Sequence, residues 1–139
     1  MIKFKKQEKS DSCVAACIQY LFQIHGNHLS EEYIYEKLGK TTNQDILDFL
    51  KMNGYESKLV YMNEKQLLKW LKSEKIEFGL IDIRINGQHC NLVSNYKFKE
   101  TKKVLVWEPL EENVIQRIDF EDLWYKINRP RNVSIIIIW

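Results

Sequence analysis

Cys13 stands where the polar stretch of residues 7–12, QEKSDS, gives way to the apolar run that begins Val14-Ala15-Ala16-Cys17. A thiol at a helix N-terminus meets unpaired N–H groups and the positive end of the helix dipole, which favour the thiolate, its nucleophilic form. On position alone Cys13 also reads as a small buried hydrophobe, the common fate of a free cysteine, and Cys17, one turn deeper, fits that reading better. His89 follows an Asn86-Gly87 turn and opens a strand, and Glu108 closes the next one. If antiparallel pairing sets His89 across from Glu108, the connecting turn is centred between Phe98 and Lys99, inside the charged stretch 97–102. A carboxylate there would fix the tautomer of the imidazole and support its charged form, as the third member of a nucleophilic triad does. Taken singly, His89 is an imidazole satisfied at a strand edge and Glu108 a solvated residue before a proline turn. Asn91, two places along the strand from His89 and on the same face, is the next available orienting group.

Other combinations carry less chemistry. A zinc site from Cys13, Cys17, His89 and Cys90 matches none of the usual ligand spacings, so neither a metal nor another cofactor is expected. His25 and His28 flank Gly26-Asn27 at the far end of the first helix and read as surface loop residues.

The elements that must position these residues come in a set order. Residues 13–24 are apolar at nearly every position, which predicts a helix buried on most of its circumference. Ser10, Asp11 and Ser12 can each cap its N-terminus. Ser30-Glu31-Glu32 starts a second helix that stops at Gly39. Thr42-x-x-Asp45 starts a third that ends at Gly54, and Asn63-x-x-Gln66 looks like the capping box of a fourth. Strand patterns cover residues 55–62, 78–85, 89–96, 103–107, 114–118 and 133–139. Asn86-Gly87 predicts one hairpin, and residues 97–102 a second, solvated one. Helices first and antiparallel strands later predict an α+β fold, with N-terminal helices packed on a C-terminal sheet.

Bulk properties narrow the functional classes. A chain of 139 residues, 45% hydrophobic and 29% charged, suits one globular domain spanning residues 1–139. A formal charge of +2 gives no footprint for nucleic acid. The longest aliphatic run, the isoleucines at 135–138, is far too short to span a bilayer, and no signal-peptide run follows Lys3, Lys5 and Lys6. Three cysteines argue for free thiols, and the expected compartment is the cytoplasm.

Together, Gln7, Cys13, His89 and Glu108 resemble the bacteriocin-processing C39 peptidases, papain-like domains usually found at the N-terminus of peptidase-containing ABC transporters. The family's glutamine stands six residues before its cysteine, and Gln7, Cys13, Ala16 and Cys17 follow that motif, with Asp11 one place early. His89-Cys90-Asn91-Leu92-Val93 is similar to the strand carrying the family's histidine, and Glu108-Pro109 to its Asp-Pro dipeptide. Residues 41–55 and the Phe120-x-x-x-Trp124 helix extend the likeness over essentially the whole chain. Val14 stands in place of a glycine, Cys90 of an aromatic residue and Glu108 of an aspartate. The resemblance implies a papain-like cysteine peptidase in which Cys13 attacks, His89 moves the proton, Glu108 orients it, and Gln7 joins the Cys13 N–H in holding the oxyanion. It implies a peptide or protein substrate with a Gly-Gly type leader, and an ABC transporter partner encoded separately. Two other readings use the same residues: a catalytically silent domain that binds a leader peptide or partner protein, and a papain-like acyltransferase or amidase effector.

Overall fold

The computed structural model describes residues 12–38, 42–82, 90–109, 115–127 and 129–139. The apolar stretch after Ser12 forms helix α1 (Cys13–Ile24), which buries Ala15, Ala16, Cys17, Ile18, Tyr20, Leu21 and Phe22, most of its circumference. Helices α2 (Glu31–Leu38) and α3 (Asn43–Met52) follow. The capping box expected before α3 is present: Thr42 Oγ1 accepts from the Asp45 N–H at 3.1 Å, and the Asp45 carboxylate accepts from the Thr42 N–H at 3.1 Å. That backbone bond holds Asp45 below the ordinary carboxylate range. After strand β1 (Ser57–Met62), Asn63 and Gln66 cap helix α4 (Glu64–Leu71) in the same reciprocal way. The rest of the chain supplies β2 (Phe78–Asp82), β3 (Cys90–Ser94), α5 (Phe98–Thr101), β4 (Val104–Trp107), β5 (Ile115–Ile118), α6 (Phe120–Lys126) and β6 (Val133–Ile138).

The six strands form one sheet in the order β1-β6-β2-β3-β4-β5, with every neighbouring pair antiparallel. One face, with Leu80, Cys90, Leu92, Trp107, Ile136 and Ile138, packs against α1, α2 and α3. The other, with Ile81, Val93, Val106, Ile135 and Ile137, packs against Leu67, Trp70 and Leu71 of α4 and Leu123 and Trp124 of α6. The fold is α+β as expected, and the sheet is covered on both sides because α4 and α6 return to it between strands.

Two local expectations are corrected. Residues 97–102 are not a purely solvated turn. Lys97 and Lys102, at φ +55° and +60°, bracket the short helix α5, and Phe98 is 3% exposed within the core that holds Val104 and Leu123. Ser12 occupies the N-cap position of α1 without capping it, because its hydroxyl donates instead to the buried Glu31 carboxylate, at 2.9 Å. Ser10, Asp11 and the Asn86-Gly87 hairpin lie outside the described residues, although the flanking β2 and β3 do pair antiparallel.

Candidate active site

Cys13 is the first residue of α1 and is half-buried. Contacts at both ends of the helix fix where it points. The Cys17 thiol donates to the Cys90 carbonyl oxygen at 3.5 Å, at the start of β3. Eight residues further on, the His25 ring meets Phe78 edge-on at 5.9 Å, and Phe78 pairs with Ser94, the last residue of β3. Helix α1 therefore runs along β3 from its beginning to its end. Cys13, one turn before Cys17, about 6 Å along the axis, is at the end of the sheet where β3 begins. Because β4 is antiparallel to β3, that is also where β4 finishes, and Glu108 follows its last residue, half-buried. The nucleophile candidate and the acid candidate share one end of the sheet.

The register differs from the one expected. Leu92 faces Trp107 and Ser94 faces Leu105, which centres the connection one residue later, between Lys99 and Glu100. Position 108 thus falls opposite 91 rather than 89. The displacement has a physical reason in α5: the helical turn, anchored by buried Phe98, takes up the chain differently from a tight solvated hairpin. Asn91 accordingly donates through Nδ2 to Glu108 Oε2 at 2.9 Å, and at 3.4 Å to the Trp107 carbonyl. By strand alternation Asn91 belongs with Val93 on the α4 and α6 side, whereas Cys90 turns toward α1. Gln7 and His89 lie outside the described residues.

The three thiols differ. Cys17 and Cys90 are buried, 0% and 5% exposed. The hydrogen bond with Cys17 pushes the Cys90 thiol well above its ordinary range, and burial and the neighbouring Cys17, Cys13 and Asp82 charges push the same way. Cys90 is held neutral, as a structural thiol is. Among the described residues no group of His, Cys, Asp and Glu is arranged to hold a metal ion. His25 and His28 are exposed at the opposite end of α1, where His25 Nδ1 lies 3.0 Å from the Leu21 carbonyl oxygen and 3.2 Å from the Tyr55 hydroxyl.

Two contacts escape sequence reasoning. Glu31 looks like an ordinary acidic residue of a helix first turn, and nothing local marks it as the buried acceptor for Ser12. Asn91 was legible as a polar residue in an apolar strand, but its partner follows from the register.

Among solved structures, the chain is similar to the peptidase domain of Streptococcus ComA, a bifunctional ABC transporter involved in quorum sensing, with TM-score 0.70 and 16% identity over 100% of this chain and 97% of that one. It is also similar to a double glycine motif protease from an AMS/PCAT transporter, solved with the leader peptide, with TM-score 0.69 and 17% identity over 96% and 87% of the two chains. The Streptococcus mutans ComA peptidase domain bound to a small-molecule inhibitor matches with TM-score 0.59 and 16% identity over 99% of each. Comparison with curated proteins finds no match. These likenesses show a shared fold, and no described helix is long and apolar enough to cross a membrane. The model of the Peptidase C39 family matches residues 1–128, and the chain belongs to that family.

Proposed function

We propose that this chain is a cysteine peptidase that cleaves a peptide precursor after a small-residue, Gly-Gly type leader, with Cys13, His89, Glu108 and Gln7 as its working groups. The observation that carries the reading is the alignment of α1 with β3, which brings the helix N-terminus bearing Cys13 to the sheet end that bears Glu108. Membership of the C39 family supports the same reaction. The Cys13 thiol passes its proton to His89, and the thiolate attacks the scissile carbonyl carbon. The tetrahedral oxyanion is held by the Cys13 N–H and the Gln7 side-chain amide, each such donor being worth roughly 3 kcal/mol. The amine leaves with the proton from His89, and water, deprotonated by His89, releases the acyl group. Glu108 holds the imidazole in the tautomer this cycle needs. The leader peptide in complex with the AMS/PCAT protease supports a peptide substrate, and the transporter context of both relatives supports a transporter partner on the cytoplasmic side.

The test is incubation with a synthetic precursor carrying a Gly-Gly leader, with mass spectrometry of the products. Cleavage after the leader by the wild type and none by Cys13→Ala is the expected result. A second reading, a leader-binding domain without turnover, is favoured by Val14 and Glu108, which stand where the family has glycine and aspartate. Leader binding with no cleavage by the wild type would establish that reading instead.

A further inference from the structure

Asn91 is an anomaly in its strand. It is 1% exposed, in a strand whose other members, Cys90, Leu92, Val93 and Ser94, are also buried. Its Nδ2 has two hydrogens and two acceptors, Glu108 Oε2 at 2.9 Å and the Trp107 carbonyl oxygen at 3.4 Å, while its buried Oδ1 meets no hydrogen-bond donor among the described residues. The amide orientation is fixed by chemistry, since turning Oδ1 toward a carboxylate would set acceptor against acceptor. A valine of similar volume would fill the site without the unmatched Oδ1, so packing alone does not account for an asparagine here. What the amide does contribute is a charge-assisted hydrogen bond to one named oxygen of a half-buried carboxylate.

We propose that Asn91 is a positioning residue for the acid: it ties down Glu108 Oε2 so that Oε1 faces the histidine. This rests on the reading of His89 and Glu108 as catalytic partners. Glutamate has one more rotatable bond than aspartate, so its carboxylate at a strand end sweeps a wider arc, and the bond to Asn91 removes that freedom. Position 91 is opposite 108 in the ladder, so the amide sets the height of the carboxylate at this end of the sheet. Asn91 does not touch reacting atoms, and its whole effect passes through Glu108.

The experiment measures the rate at which iodoacetamide alkylates Cys13, a readout of thiolate support that needs no substrate, in a double-mutant cycle of Asn91→Val and Glu108→Gln. Asn91→Val is expected to slow alkylation roughly tenfold, equivalent to about 1.4 kcal/mol. Asn91→Thr, which restores a hydroxyl donor in the shape of valine, should recover part of the rate, and the double variant should be no slower than Glu108→Gln alone. In parallel, ¹⁵N spectra of the His89 ring should show the tautomer mixture shifting in Asn91→Val as it does in Glu108→Gln. A wild-type rate in Asn91→Val beside a slow Glu108→Gln overturns the inference while leaving the catalytic reading standing. An equal slowing by Asn91→Val in both backgrounds also overturns it, since the effect then bypasses Glu108. A wild-type rate in Glu108→Gln removes the catalytic reading of that residue, and this inference with it. If Asn91→Val does not fold, Asn91→Thr in the same cycle carries the test, with a smaller slowing that vanishes in the Glu108→Gln background.

Discussion

Cys13, Cys17 and Cys90 show how environment separates residues of one type. Cys13 is half-buried at a helix N-terminus, whereas Cys17 is enclosed and Cys90 is both enclosed and pushed well above the ordinary thiol range by its bond to Cys17. Brief iodoacetamide treatment at pH 6 should therefore label Cys13 alone, as peptide mapping by mass spectrometry will report; preferential label on Cys17 or Cys90 would reverse the assignment of the nucleophile. Gln7→Ala removes an oxyanion donor and should lower the single-turnover rate by roughly 10²–10³, with substrate affinity little changed; an unchanged rate would reduce Gln7 to a loop residue. Glu108→Gln keeps the shape of the side chain but replaces an acceptor with an amide, so it should cost activity heavily through the wrong imidazole tautomer. Glu108→Asp keeps the charge and should be mild. Comparison of kcat for the two variants separates an orienting acid, which demands that order, from a bystander, which predicts none.

At the scale of elements, the strands matter as a close-packed layer. Gly79 in β2 lies between Val93 of β3 and Ile137 of β6. A Cβ there would come within 2.6 Å of Ile135 Cδ1, 3.0 Å of Ile135 Cγ1 and 3.2 Å of Val93 Cγ2. Ile135 is 0% exposed, so its side chain has little room to retreat. Gly79→Ala should destabilise the fold by roughly 1–3 kcal/mol, overpacking outweighing the smaller gain from a less flexible unfolded chain. Urea denaturation will show it as a lower midpoint, and a midpoint at or above wild type would mean that the layer yields more easily than its burial suggests.

For the whole molecule, the two faces of the sheet are cores that share the same strands. In β6, Ile136 and Ile138 face α1–α3 while Val133, Ile135 and Ile137 face α4 and α6. Neither core can be lost while the other keeps its shape, so we propose that the chain unfolds as one unit. Helical circular dichroism and tryptophan fluorescence, which samples Trp107 on one face and Trp70 and Trp124 on the other, should give coincident transitions in urea. Separate midpoints would show two folding units instead.

The residue types and their order determined much of this by themselves. The apolar run after Cys13, the Thr42 and Asn63 capping boxes and the alternation of the late strands made the elements legible, because helix caps and periodicities are local and depend on residues within one or two turns. The motifs around Cys13, His89 and Glu108 made the family legible. Three things were left to the tertiary structure. Phe98 found a pocket between strand and helix and turned a charged hairpin into α5, which moved the register of β3 against β4 by two residues. That register set Glu108 against Asn91, and the packing of α2 on α1 gave the Ser12 hydroxyl to Glu31 instead of the helix cap. Each depends on which distant side chain fills a given space, and no local pattern of residues encodes that.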